Sequence, residues 1–520
     1  MARPPVRRLV PLALLAGLAT PAFSQLPPLT VPKGLVRVEL SGRFEHWSRR
    51  YLDGEKEEAA GAFIRSPADG RWLPTLAELE ARLTGLLGTP SGPLSLGSST
   101  SAVFAEAGTG GIGLAFGLTG RVTLFGSVPF VRVRTQSTLG IDSAGGTLGI
   151  NPAHPVFGSA AGQAQAELLL TELGTALATL SERLQAGAYD ADPARKALAQ
   201  ATLTRGQDLR QGLSGLLTDP AIATPFLPLA GSASGAALAT ALEDLRTTLA
   251  TGLGIAGFTA TAPLPDQRVN SAEFLDVTTR AGGPFAFGPL PEPIITSIGD
   301  IELGAAFRWL DVAPPAGLAV RSTLLGTVRL PTGYLDRPDR LFDLGVGERQ
   351  LDIEGAIVAD LQAGRVGARL TGRYVQQLAG TVERRVTSPD QPIVGGELLR
   401  SLERDPGEVF EAQVEPFLRI APTLSVTGGA RWWSKGEDRW TYAPGVTPVE
   451  GADLRVLGQD SKERALALAL GVSYVHSGRR RDGTTGRPMD AALRYEWVAA
   501  SSAGIVPARR AVSLVLRFYR

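Results

Sequence analysis

Period-two alternation of apolar and polar residues recurs in about twelve segments of this chain, and that pattern leaves few folds open. Side chains on a strand point alternately to its two faces, so each segment reads as a strand with one apolar face. From Leu35 onward, Val36, Val38, Leu40 and Phe44 share one face, and Arg37, Glu39, Arg43 and Glu45 the other. Ile112, Leu114, Phe116 and Leu118 alternate with Gly and Ala; the chain turns at Thr119-Gly120, and a strand follows from 121 to about 134. Leu303, Phe307 and Trp309 oppose Glu302 and Arg308, while Val320, Leu324 and Val328 oppose Arg321, Thr327 and Arg329. Ile353 and Ile357 oppose Asp352, Glu354 and Asp360; after Gly364, Leu370 and Tyr374 oppose Arg365, Arg369 and Arg373. Phe410 and Val414 oppose Glu411 and Glu415, and Trp432 opposes Arg431. Leu466 to Tyr474 alternate mainly with Ala and Ser, Leu493 and Tyr495 with Arg494 and Glu496, and Val512 to Phe518 with Ser513 and Arg517.

Each segment is close to the roughly 9 to 11 residues that a tilted strand needs to cross a bilayer, and an even number closes an antiparallel barrel. Short connections (Thr119-Gly120, Ala363-Gly364, Ala421-Pro422) alternate with long ones (48–100, 136–297, 332–349, 379–408, 435–463), as the short inner turns and long outer loops of a membrane barrel do. The expected fold is an all-β membrane protein: an antiparallel transmembrane β-barrel of about twelve strands with an α-helical insertion in an outer loop. A soluble sandwich with one buried face alternates in the same way. Against it stand the alternating loop lengths, the aromatics near segment ends and a last strand that runs to the end of the chain.

Residues 1–24 carry Arg3, Arg7 and Arg8, an apolar run from Leu9 to Leu18, and Ala22 and Ser24 before Gln25, the pattern of a cleaved secretory signal peptide. The chain then divides into a linker at 25–34, first strands at 35–136 with a helical loop at 75–87, an outer-loop insertion at 137–297, and the remaining strands at 298–520. Within the insertion, 163–253 turns helical: Leu170, Leu173, Leu177, Leu180 and Leu184 recur at helical spacing, Asp192-Pro193 starts a second helix, and Leu238 to Leu253 mark a third. The Gly- and Pro-rich stretch from 254 to 297 has room for another hairpin.

Composition removes several functions. With 52 Lys+Arg against 51 Asp+Glu, the net charge of +1 supplies no basic field for nucleic acid. The absence of Cys removes disulfides, iron–sulfur clusters and thiol catalysis. Only His46, His154 and His476 remain for imidazole chemistry, and His476 beside Ser477 points to the opposite strand face. Asp336, Asp339 and Asp438 lack the spacing of a calcium loop. No catalytic residue, metal or cofactor is implied, and Arg479-Arg480-Arg481 reads as a solvated turn near headgroups.

Three places resemble the outer-membrane channels grouped as transporters of the phenol-degradation meta pathway, which are distantly similar to the hydrophobic-compound channels of the fatty-acid type. They are the Gly-Leu-Thr-Gly-Arg turn leading to Val128-Pro129-Phe130-Val131, Gly299-Asp300-Ile301 opening a strand, and Leu330-Pro331-Thr332-Gly333 closing the next. The resemblance covers the strands and not the helical insertion. It implies an outer-membrane location reached through the assembly machinery, lipid as the surrounding partner, and passive passage of small, often apolar or aromatic solutes. It marks Pro129, Phe130, Gly299, Asp300, Pro331, Thr332 and Gly333 as rim positions. The alternative is a non-conducting surface barrel whose helical region binds a partner or the envelope.

With the apolar face toward lipid, Arg37, Glu39, Arg43, Glu302, Arg321, Arg329, Asp352, Glu354, Asp360, Arg365, Arg369, Arg373, Glu411, Glu415, Arg431 and Arg494 fall on the lumen face. Opposed acidic and basic rows on neighbouring strands either form a polarised aqueous constriction or neutralise one another and stiffen a nearly closed lumen.

Overall fold

The computed structural model describes residues 29–314, 317–347, 349–476 and 487–520; the signal peptide expected at 1–24, Ser477 and the Arg479-Arg480-Arg481 run lie outside the described residues. Twelve strands form the wall: β1 (Val36–Trp47), β2 (Ser98–Gly117), β3 (Val122–Asp142), β4 (Glu302–Val312), β5 (Ala319–Arg329), β6 (Asp352–Ala363), β7 (Val366–Gln377), β8 (Val409–Ala421), β9 (Leu424–Lys435), β10 (Glu463–His476), β11 (Met489–Ala503) and β12 (Arg510–Tyr519). Each pairs antiparallel with the next, and β1 pairs with β12 in the register Val38↔Phe518 and Phe44↔Val512, which closes the barrel. Closure leaves no sheet edge, the condition a strand protein must meet in hydrocarbon.

The outward face is the apolar one. Leu40, Phe44, Ile112, Leu114, Phe307, Trp309, Ile357, Tyr374, Val414, Leu470 and Leu514 are all exposed, which makes a continuous band where water would penalise one and lipid does not. No helix among the described residues is long and apolar enough to cross a membrane. At one end the connections span 48–97, 143–301, 330–351, 378–408 and 436–462, with 504–509 the short exception; the other end has turns at 118–121, 313–318, 364–365 and 422–423.

β2 and β3 have 20 and 21 residues, about twice what crossing requires. The β1 ladder stops at Trp47↔Ala105, so the outer half of the β2–β3 hairpin rises free of the wall. Onto it packs a helical layer: α1 (Pro74–Leu87), α2 (Ala160–Gln185), α3 (Pro193–Leu217), α4 (Ala233–Thr247) and α5 (Ser271–Thr279). α2, α3 and α4 each start on a side-chain cap: Ser159 accepts from Gly162 N, Asp192 from Arg195 N and Ser232 from Gly235 N. The leucine stripe of α2 is buried at Leu169, Leu173, Leu177 and Leu180, and α3 approaches it closely at Gly206, where a Cβ would collide with Leu177. The stretch at 254–297 holds α5 and the single short strand Ile295–Ile298 instead of a hairpin. The helix forms because Asn270 accepts from Glu273 N while the Glu273 carboxylate accepts from Asn270 N, a closed capping box.

This layer spans the mouth. One hydrophobic core joins Phe63, Trp72 and Leu76 from the β1–β2 loop, Leu173 and Phe285 from β3–β4, Phe342 from β5–β6 and Ile393 from β7–β8. In a ring of twelve strands the β1–β2 and β7–β8 loops leave from opposite sides, so a core shared by both lies across the opening. Gln391 Nε2 donates to Arg71 O at 2.9 Å, Gly396 N to Pro284 O at 3.1 Å, and the Phe63 and Phe342 rings are 4.6 Å apart.

Candidate functional site: the charged lumen

Strand parity turns the charged residues inward, and their side chains join from strand to strand into a belt. Glu302 on β4 meets Arg329 on β5 at 3.0 Å; Arg329 reaches Asp352 on β6 at 3.2 Å and Glu354 at 4.0 Å. Glu354 holds Arg373 on β7 at 2.7 Å, Arg373 lies 3.5 Å from Glu411 on β8, and Glu411 lies 3.3 Å from Arg431 on β9. Arg431 crosses β10 to Glu496 on β11 at 3.0 Å, and Arg43 on β1 crosses β12 to the same carboxylate at 3.5 Å. These two crossings are possible because β10 and β12 present Ala467 and Ser513 at the intervening positions, where nothing blocks a guanidinium. Arg494 bridges Glu496 at 3.1 Å and Glu415. The chain of ion pairs thus runs from β4 to β1 with charged residues on eight strands and crosses two more, β10 and β12, and Ser127 on β3 hydrogen-bonds Glu302 at its start.

A second tier lies toward the short-turn end. Asp360 pairs with Arg369 at 2.7 Å, Arg321 with Asp311 at 3.4 Å, and Glu39 with Arg517 at 2.6 Å and Arg37 at 3.9 Å. Tyr519 Oη donates to Asp490 Oδ2 at 2.5 Å, and Val31 N donates to Thr123 Oγ1 at 2.8 Å. The latter bond tucks the N-terminal segment into this end of the lumen, where Val31 is buried against Ala115, Tyr519 and Phe125.

Of the lumen candidates, Arg365 does not join either tier. It occupies the tight Gly364-Arg365 turn one position before β7, is exposed, and contributes its carbonyl to Arg419 N at 2.8 Å. Glu45, Asp311, Asp490, Glu496, Arg517 and Tyr519 are lumen residues the sequence reading left out of its candidate set; Glu496 shares the parity of Arg494, which was the available signal.

The family-like motifs, far apart in sequence, meet at one point of the wall. The β3–β4 ladder breaks between the pairs Ser127↔Glu302 and Phe130↔Ile298, so Val128-Pro129 faces Gly299-Asp300-Ile301, one residue longer. Gly299 N donates to Pro129 O at 2.9 Å, Thr332 Oγ1 donates to Gly299 O at 2.7 Å and accepts from Ile301 N at 3.0 Å, and Asp300 Oδ1 accepts from Gly333 N at 2.7 Å. A Cβ on Gly333 would stand 2.7 Å from Gly347 Cα, so glycine here permits two loop backbones to touch. Pro129 costs nothing at a break in the ladder, where its missing N–H has no partner to serve. Phe130 points outward and is exposed, and Pro331 continues the chain from β5 into its loop.

The histidines lie elsewhere. His46 sits on the outward face between Phe44 and Phe104, His476 stacks on Tyr474 with ring centroids 6.4 Å apart, and His154 Nδ1 accepts from Val156 N at 3.0 Å within the helical layer. Burial lowers the His154 pKa, which keeps that ring the neutral acceptor its turn requires. Among the described residues, no group of three or more His, Asp or Glu side chains forms a metal cluster.

No family model matches the chain, and no curated protein matches it. Solved structures similar to it include an outer membrane channel from Pseudomonas putida F1 (10% identity, 95% of this chain and 99% of that one, TM-score 0.41). A FadL homologue from Pseudomonas aeruginosa is similar at 8% identity over 93% of this chain and 90% of that one, with a TM-score of 0.30. The toluene transporter TodX from Pseudomonas putida is similar at 8% identity over 94% and 90%, with a TM-score of 0.25.

Proposed function

We propose that the chain is an outer-membrane channel that passes small, hydrophobic or aromatic molecules by passive diffusion, with the ion-pair belt as its constriction and the helical layer as the roof through whose margins solutes enter. The observation that carries this reading is the continuity of the belt from Glu302 to Arg43 around the lumen. Twelve strands at the usual spacing and tilt give a backbone radius of about 12 Å, so inward-reaching arginines and glutamates leave a bore of small-molecule width. Fixed charges of both signs around such a bore orient dipolar solutes without holding them tightly, which conduction requires.

The solute class rests on the resemblance of the three wall motifs and on one local feature. Arg431 lies 4.9 Å from the centroid of Trp433, so the constriction already offers a guanidinium against an aromatic face. Guanidinium planes stack on aromatic rings and are weakly hydrated, which suits transient contact with a planar solute.

The test is osmotic swelling of liposomes carrying the full mature chain, in benzoate and in arabinose of matched osmolarity. Faster swelling in benzoate supports the reading. A folded barrel that leaves the vesicles as tight as protein-free ones favours the surface-scaffold alternative.

A further inference from the structure

The outward face of the wall carries a cationic row where the apolar band ends at the roof side. Four residues on consecutive strands stand directly opposite one another: Arg510 on β12, His46 on β1, Glu106 on β2 and Arg134 on β3. One step below, Arg132 on β3 faces Gly108, and both Arg132 and Arg134 are exposed. Arg134 stands 3.6 Å from Glu106, whereas Arg132 and Arg510 form no ion pair among the described residues. An outward guanidinium at this height stands at the level of the lipid headgroups, where an anionic headgroup can meet it.

Directly beneath the row the wall is bare. Gly42 on β1 pairs with Gly110 on β2, and a Cβ on either would meet nothing within 4 Å; at Gly108 the nearest atom is 4.0 Å away. Phe44 and Phe130, 49% and 48% exposed, rise on the two sides of this patch. The result is an apolar trough, open to the lipid and headed by cations.

We infer that this patch holds an anionic lipid of the outer leaflet, a phosphorylated acyl glycolipid whose phosphate lies on Arg132 and Arg134, two residues apart on one face of β3, and whose acyl chain lies in the trough over Gly42 and Gly110. Arginine binds phosphate by charge-assisted, often bidentate hydrogen bonds, and a flat glycine surface lets a chain pack against the backbone. The leaflet rests on the outer-membrane reading above; the chemistry of the site does not.

The experiment is native mass spectrometry of the full mature protein in neutral detergent, with lipid A as the probe. Dephosphorylated lipid A, phosphatidylglycerol and inorganic phosphate serve as comparisons. One lipid A is retained per chain, and R132A/R134A weakens it about tenfold or more by losing two phosphate partners. Gly110→Leu, which fills open space and leaves the strand pairing intact, weakens it as well. Arg365→Ala, at the other rim, leaves retention unchanged. The inference fails if R132A/R134A or dephosphorylation leaves retention unchanged, if Arg365→Ala weakens it equally, or if millimolar phosphate displaces the lipid, which marks a free-phosphate site. Equal retention of phosphatidylglycerol overturns the assignment to the outer leaflet. The channel reading is tested by flux, so each can fail without the other.

Discussion

Arg431 Nη2 lies 3.0 Å from Glu496 Oε1 although a whole strand, β10, separates their strands in the wall. The contact exists because β10 presents Ala467 between them. Glu496 receives Arg43 and Arg494 as well, so one carboxylate is shared by three guanidinium groups from three strands.

Glu496→Gln removes the carboxylate that the three cations share and leaves each with one acidic partner, Arg43 with Glu45, Arg431 with Glu411 and Arg494 with Glu415. Breaking a fully buried pair costs roughly 3–5 kcal/mol, and because these side chains keep contact with water the expected loss is about 1–2 kcal/mol. A lower temperature for loss of the folded band on unheated gels measures it. The same substitution shifts ion selectivity toward anions, which a reversal potential under a salt gradient reads.

The roof depends on Asn151, which is fully buried. Its amide donates to Leu216 O, Leu217 O and Thr224 O at 3.2, 3.3 and 2.9 Å, satisfying the end of α3, while its Oδ1 accepts from Ala153 N at 2.9 Å. Asn151→Ala orphans buried carbonyls and costs the roof about 2–3 kcal/mol. Hydrogen exchange across 193–217 rises while exchange in the wall strands stays as in the unaltered protein.

Glu292 carries a pH dependence of known sign. Burial, together with nearby Asp343 and Asp339, raises its pKa above the ordinary carboxylate value, despite the opposing hydrogen bond from Phe342 N at 2.7 Å and the charge of Arg340. A carboxyl with a raised folded pKa favours folding while protonated and penalises it as pH rises through that value. Glu292→Gln therefore makes the loop at 330–351 more resistant to trypsin at neutral pH, and the advantage vanishes in acid below the unfolded glutamate range.

Asp438 has the opposite sign. Burial alone would raise its pKa, but Arg404 at 2.8 Å and Lys435 at 2.5 Å outweigh burial and hold it below the usual range. Its contribution is present above the unfolded carboxylate pKa and is lost as pH falls through the depressed one. Asp438→Asn raises exchange of the backbone at 399–405 and 436–442 at neutral pH, with the difference shrinking as the pH is lowered.

The Thr332 hydroxyl ties the motif junction by donating to one chain and accepting from it two residues later. Thr332→Val preserves shape, removes both bonds and costs about 1–3 kcal/mol. Gly333→Ala drives a Cβ against Gly347 backbone and costs a similar amount. Faster exchange at Ile301 N, with β8 to β12 unaffected, checks both.

The barrel was legible in the sequence because one face of every wall strand had to be apolar, and alternation from Val36 to Phe518 records that demand directly. The belt was half legible. Parity assigns Glu354, Arg373 and Glu411 to the lumen, but the reach of Arg431 over Ala467, or of Arg43 over Ser513, depends on register between strands that no local pattern contains. Arg365 misled because alternation continues smoothly into a turn, where side chains no longer obey it. The roof's helices announced themselves through leucine spacing, whereas its position across the mouth arises from Phe342 and Ile393, single residues in loops without periodicity.

The most direct test of the central claim is single-channel current through the full mature chain in planar bilayers, beside Glu354→Lys. Unitary steps in the unaltered protein, with reversal potentials that move toward anion selectivity in the variant, are what a lumen gated by the Glu302–Arg43 belt produces. Silent membranes from a correctly folded barrel, or steps whose selectivity ignores Glu354→Lys, contradict it.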